Sequence, residues 1–138
     1  MAVDKETDAI KFLRSAALPN HNAKLRTRVA AFETVRLRRC DLINGSYSLP
    51  FCRPEQFDAF WRRINTALNA GGRLAGHLFG VHDEWAGSTD LTFHTRPQVD
   101  HLLRKFEVEF LEEREWDGKV ASGKKKRWHV FSIVARKP

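Results

Sequence analysis

The stretch Asp41-Leu42-Ile43-Asn44-Gly45-Ser46-Tyr47-Ser48-Leu49-Pro50-Phe51 decides how the rest of this 138-residue chain is read. Residues 41–47 read as a buried strand that breaks at Gly45, and residues 48–51 as a loop. Just beyond, Pro54 opens the best helical pattern in the chain. Phe57, Phe60, Trp61, Ile64 and Leu68 recur at helical spacing and form one apolar stripe, which reads as core. Pro54 suits a first turn, Glu55 and Asp58 favour the positive end of the helix dipole, and Gly71-Gly72 is expected to stop the helix after Ala70. A second strand is expected at Arg73–Phe79. Strand, helix and strand in that order predict parallel pairing.

Working outward, residues 5–18 read as a helix with Ala9, Ile10, Leu13 and Ala17 on one side, stopped by Pro19-Asn20. Arg28–Phe32 reads as a short strand. His82–Asp90 is a polar loop holding Trp85 and Gly87. Thr95 is placed to cap a helix with Pro97 in its first turn, and Val99, Leu102, Leu103 and Phe106 form its apolar face. Residues 107–115 alternate as a strand, Asp117-Gly118 reads as a turn, and Trp128–Ala135 reads as a last strand. The final two strands have no helix between them, so they are expected to pair antiparallel. The predicted class is α/β: a single domain over residues 1–138, with a mostly parallel sheet and an antiparallel C-terminal hairpin.

Composition narrows the functional classes. Hydrophobic residues make up 42% of the chain and charged residues 30%, as in ordinary globular proteins. No apolar run is long enough to span a membrane. The N-terminus lacks the basic-then-apolar pattern of an exported chain. Cys40 and Cys52 are too few for a disulfide scaffold and lack zinc-ligand spacing, so reduced thiols in a cytoplasm are the simplest reading. The net charge is +7, yet residues 41–118 hold eight Lys/Arg against thirteen Asp/Glu, and the excess lies at the two ends. Lys124-Lys125-Lys126-Arg127 reads as a solvated loop, and a nucleic-acid partner is disfavoured because interleaved aromatics are missing.

Five segments, in order, resemble a class I S-adenosylmethionine-dependent methyltransferase of the small tellurite-resistance-like kind. Ala2-Val3-Asp4 is similar to the end of that family's second strand. Val29-Ala30-Ala31-Phe32-Glu33 is similar to its third strand and the acidic turn after it. Residues 41–51 are similar to its fourth strand and the loop lining the methyl-transfer site. Asn69-Ala70-Gly71-Gly72-Arg73-Leu74 resembles the helix stop before its fifth strand, and the hairpin matches its reversed last strand. The family's first strand and Gly-rich loop have no counterpart here, and no G-x-G occurs. The resemblance therefore implies a Rossmann-like sheet lacking the first βα unit. The chain would be a natural truncation, a fragment, or one whose gap another chain fills.

The resemblance implies S-adenosylmethionine as cofactor, held weakly or not at all without the glycine loop, and a small-molecule methyl acceptor. Asp4 would accept from ribose hydroxyls; its plainer role is a helix cap. Phe32 and Glu33 would face the adenine. Asn44 and Ser46 would complete the cofactor side, with Gly45 permitting close approach. Tyr47, Phe51, His82, Trp85 and His94 are the candidate substrate-pocket residues. The sequence Gly45-Ser46-Tyr47-Ser48 is not a G-x-S-x-G elbow. His77, His82, His94 and His101 show no metal-binding spacing, and no metal is expected.

Two rival readings stand beside this one: a non-catalytic, oligomerising remnant of a methyltransferase, and a basic nucleic-acid-binding protein. The missing central strand would leave Leu42–Ser46 with one bare side. A homodimer is therefore expected, with Met1–Val35 and that strand at or near its interface.

Overall fold

The computed structural model describes residues 1–16 and 24–138. They form two compact units, residues 1–36 and 37–138. The expected helix stop at Pro19-Asn20 lies outside the described residues.

In the first unit, β1 (Ala2–Asp4) is followed by α1 (Thr7–Ala16) and β2 (Thr27–Val29), and β1 pairs parallel with β2. This is a βαβ order. The Ala30 N–H donates to Asp4 O at 2.9 Å and ends the ladder. Thr34 and Val35 N–H then both donate to Ala31 O. The strand expected at Arg28–Phe32 therefore stops at Val29, and Phe32 sits in a turn. Among the described residues of the expected helix face only Ile10 is buried, while Leu13 is exposed. The Arg14 guanidinium donates to Thr27 Oγ1 at 2.8 Å and ties α1 to β2.

The second unit holds a five-stranded sheet: β3 (Cys40–Gly45), β4 (Leu68–Gly80), β5 (Phe93–His94), β6 (Glu107–Lys119) and β7 (Lys125–Arg136). The order is β3-β4-β7-β6, with β5 beside the end of β4. β3 and β5 run parallel to β4, while β7 is antiparallel to both β4 and β6. A parallel sheet with a reversed C-terminal hairpin is the predicted class.

Helix α2 (Pro54–Ala67) buries Phe57, Phe60, Trp61 and Ile64 of the predicted stripe, together with Ala67. It stops earlier than expected. Leu68 is fully buried and already extended, and the sheet takes the chain from there, so Gly71-Gly72 lies inside β4. The Lys137 ammonium donates to Asn65 O and Leu68 O at 2.7 and 2.9 Å. It satisfies carbonyls that the helix end leaves open. Helix α3 (Arg96–Leu103) is capped by Thr95, as its sequence predicts, and Gln98 completes a capping box.

Three further expectations are corrected. β3 is not a buried strand: Leu42 is 61% exposed, and β3 is the end strand of its sheet. Residues 49–51 form a 3-10 turn rather than open loop. The hairpin reverses at residues 120–124, not at Asp117-Gly118. Gly118 lies opposite Lys126 in the ladder, and Gly123, with φ +83°, makes the reversal. Lys125, Lys126 and Arg127 are thus strand residues, and Lys126 is buried.

Candidate functional site

At the carboxyl end of β3 the Asn44 side chain accepts from the Ser46 N–H (3.0 Å) and the Ser46 hydroxyl (2.8 Å). This local turn ends the strand. A Cβ on Gly45 would meet Leu49 side-chain atoms at 2.6 Å, so Leu49 packing, rather than ligand approach, requires this glycine. The chain then forces Tyr47 to φ 49°, the one non-glycine residue with positive φ among those described. Such a conformation costs about 1 kcal/mol or more. Two contacts with His77 on β4 hold it. The Tyr47 N–H donates to His77 Nδ1 at 3.2 Å, and the two rings stack with centroids 4.1 Å apart. Burial pushes the His77 pKa below its ordinary value, so the ring is a neutral acceptor at Nδ1.

The loop after β4 is fastened to β7. The Asp83 carboxylate accepts from the Lys126 ammonium at 2.6 Å, from the Trp85 N–H at 3.0 Å and from the His129 N–H at 3.2 Å. The Glu84 N–H donates to Arg127 O, and the Arg127 N–H donates to the Glu84 carboxylate. The His129 ring occupies the space a Gly80 side chain would need.

These anchors set Trp85 opposite the hairpin. Across the hairpin, Trp116 pairs with Trp128, their rings nearly parallel with centroids 5.9 Å apart. A Cβ on Gly118 would crowd both indoles. The result is a cavity of about 580 Å³ beyond the carboxyl ends of β3 and β4. Its walls are Tyr47, Phe51, Phe79, Trp85, Trp116 and Trp128, with Lys119 and Ser122 at the hairpin side. Crevices at strand carboxyl ends are where α/β folds take ligands.

Behind these walls lies Lys126. Its side chain is 1% exposed and that of Asp83 is fully buried. Its ammonium sits 3.5 Å from the Trp128 ring centre, 4.2 Å from Trp85 and 4.9 Å from Phe79. Burial pushes the Lys126 pKa below the ordinary lysine value, and Asp83 pulls against that shift.

Of the expected pocket residues, Tyr47, Phe51 and Trp85 come together in this cavity, and His82 and His94 do not line it. His82 stacks on His129 and bonds to Glu115 at 2.9 Å. That bond, with Arg127, lowers the Glu115 pKa. His94 is buried in β5, packs on Phe57, and lines a separate cavity of about 360 Å³ with Asp58 and His101. Its Nδ1 has no hydrogen-bond partner among the described residues. Burial lowers the His94 pKa to about 4, against an opposing pull from Asp58.

His82, Glu115 and His129 place ligand-type atoms within 4.8 Å of one another. The hydrogen bonds argue against a metal there. His129 Nδ1 accepts the His82 N–H at 3.1 Å, and its Nε2 lies 3.0 Å from Glu113, so both ring nitrogens are already engaged.

Of the residues that the resemblance assigns to a cofactor, Asp4, at the end of β1, accepts the Glu6 N–H at 2.8 Å, a local turn at the start of α1. Phe32 and Glu33 lie in the turn after β2. The Asn44 carbonyl and the Ser46 hydroxyl are bonded to each other. For S-adenosylmethionine the fit is incomplete. None of the described glycines forms a G-x-G turn that would bring backbone N–H groups to the methionine end. No chemical step is therefore derived through that cofactor.

Lys126, Asp83, Trp116 and Trp128 were not among the predicted site residues. A weak signal exists for the last two: aromatics flank Gly118 and follow the basic run. Asp83 and Lys126, 43 positions apart, carry none.

No protein-family model and no curated protein matches this chain. Solved structures do. TehB from Haemophilus influenzae superposes with a TM-score of 0.80 at 13% identity, over 99% of this chain and 49% of that one. A SAM-dependent methyltransferase from Methanosarcina mazei gives 0.70 at 18% identity, over 98% and 80%. The 1,6-didemethyltoxoflavin-N1-methyltransferase of Burkholderia thailandensis, solved with 1,6-didemethyltoxoflavin and S-adenosylhomocysteine, gives 0.59 at 18%, over 99% and 70%. The chain spans about half the length of the first of these neighbours, and over that span its fold is the fold of the SAM-dependent methyltransferases.

Proposed function

We propose that this chain is a SAM-dependent methyltransferase-like protein that acts on a small molecule and, by itself, holds the cofactor weakly. The observation that carries the reading is the aromatic cavity at the carboxyl ends of β3 and β4, in a sheet of methyltransferase topology. Such enzymes work mainly by positioning acceptor and methyl group in line. Tyr47, pinned by His77, is the built-in positioning element on the acceptor side. The bound cofactor would supply a methyl group on a sulfonium. Asp4, Phe32, Glu33, Asn44 and Ser46 are the residues we assign to it by resemblance.

Calorimetry of the full chain with S-adenosylhomocysteine tests this. Binding with a dissociation constant on the order of 0.1 mM is expected. A submicromolar constant would overturn the weak-cofactor reading. No heat at millimolar ligand would overturn the enzymatic one.

That last outcome would favour the second reading, a non-catalytic oligomerising remnant. It draws support from β3, an end strand with Leu42 largely exposed, and from Phe12, exposed at 74% on α1. We extend the proposal to a homodimer in which β3 meets a second copy. Sedimentation at micromolar concentration checks this, and a clean 16 kDa monomer would reject it. No described helix is long and apolar enough to cross a membrane. We place the protein in the cytoplasm, because two cysteines are too few for a disulfide scaffold.

A further inference from the structure

We infer that the cavity between Tyr47, Trp85 and the Trp116/Trp128 pair takes a planar, electron-rich aromatic ligand of neutral or negative charge, such as a hydroxyarene, and refuses organic cations. The binding claim stands on the cavity alone. Calling that ligand the methyl acceptor rests on the reading above.

Shape comes first. Six aromatic side chains make the walls, and the volume of about 580 Å³ suits one to three fused rings. Trp116 and Trp128 lie nearly parallel, and Tyr47 meets Trp128 edge-on with centroids 6.1 Å apart. Walls of this kind favour flat partners through stacked and edge contacts.

Charge decides the class. Aromatic boxes ordinarily attract cations, because ring faces are negative. Here that attraction is already used. The Lys126 ammonium lies against Trp128, Trp85 and Phe79, and it is not itself a lining residue. A cation beside these rings draws their π density, which leaves them better suited to an electron-rich ring than to a second cation. Among the described residues no carboxylate lines the cavity, and the buried Asp83 carboxylate is taken by Lys126 at 2.6 Å. The charged group that does line it is Lys119, an exposed ammonium at the end of β6. An oxyanion on the ligand would meet it there, beside the Ser122 hydroxyl.

Three probes sharing one ring system separate the possibilities: 2-naphthol, 2-naphthalenesulfonate and 2-naphthyltrimethylammonium. Each is titrated into the full chain without cofactor, followed by tryptophan fluorescence and calorimetry. Naphthol and the sulfonate are expected to bind and to quench, and the ammonium probe to bind at least about tenfold more weakly. Lys119→Gln should weaken the sulfonate about threefold and leave naphthol unchanged, as befits a rim ion pair. Equal or tighter binding of the ammonium probe would overturn the inference, as would no binding by any of the three. Naphthol binding without S-adenosylhomocysteine binding keeps this inference and removes the methyltransferase reading. The reverse pattern removes this inference alone.

Discussion

Lys126→Met is the sharpest single test of how the site is built. Lys126 and Asp83 are both buried and 2.6 Å apart. At an effective dielectric near 20 their attraction is about 6 kcal/mol. Desolvating two ions offsets most of that, so the pair as a whole adds little net stability. Removing one member is different. Methionine keeps the volume and the contacts with Trp85 and Trp128 but strands the Asp83 carboxylate. The two N–H groups of Trp85 and His129 remain to hold it, and they do not replace a full charge. The expected loss is about 3–5 kcal/mol, a large share of the roughly 5–15 kcal/mol typical of a domain.

The double variant Lys126→Met/Asp83→Asn removes both charges and keeps an acceptor for one N–H. It should recover at least half of the loss. Urea midpoints for the wild type, both single variants and the double variant form a cycle with an expected coupling of about 2–3 kcal/mol. If the double variant is as unstable as Lys126→Met, the stranded charge is not the cause and the argument fails. If Lys126→Met costs less than about 0.5 kcal/mol, the lysine is a solvated surface residue after all.

Other outcomes follow from the same packing. Gly80→Ala should cost about 3 kcal/mol, because its Cβ would enter the space of the buried His129 ring; an unchanged urea midpoint would show that the ring moves aside freely. Trp61→Ala should cost about 3–5 kcal/mol, and Lys125→Ala, an exposed position on β7, less than about 0.5; equal midpoints would refute the burial assignment. His94 gives a pH signature. Its folded pKa of about 4 lies below the ordinary 6.5, so its neutral form contributes stability above pH 6.5. That contribution is lost as the pH falls from 6.5 toward 4, by about 3 kcal/mol in all. His94→Leu should flatten this part of the stability–pH curve, and an unchanged slope would place the titration elsewhere.

Much of the fold was legible because its signals are local. The α2 stripe, the Thr95 cap with Pro97 and the antiparallel hairpin each depend on residues a few positions apart, or on two strands with a short link. The errors share a cause as well. Gly71-Gly72 and Asp117-Gly118 carry strong turn chemistry, yet both fall inside strands. At Gly72 a Cβ would press on the carbonyl of Asn69, and at Gly118 it would press on two indoles. Glycine there answers to crowding that only the paired sheet creates, with Asp41 O also against Gly72 and Trp128 across the ladder against Gly118, so propensity misplaced the boundary. β3 reads as buried by composition alone, yet it ends its sheet, the bare side that the missing central strand implies.

The site was half legible, and the missing half is the part that fixes its charge. Trp85 could be named because loops after parallel strands open at one end of a sheet, and Tyr47 and Phe51 because residues 41–51 resemble the family's loop beside the methyl-transfer site. Lys126 could not, since a run of four cations reads as solvent-facing wherever it occurs. What reverses that reading is parity. On a strand, Lys126 and Trp128 share a face, and across the ladder stand Gly118 and Trp116. Shift the pairing by one residue and Lys125 or Arg127 would take the buried place, without Trp128 on the same face. Asp83 then decides whether an ammonium can stay there. It fixes Lys126, the Trp85 backbone and the His129 backbone with one carboxylate, so the cavity wall and its hidden cation share one anchor. A ligand that pushes Trp85 aside must disturb the Asp83 network too. The shape of the cavity and its preference against cations should therefore be lost together in Asp83→Ala, whereas Lys119→Gln should touch only the charge at the rim.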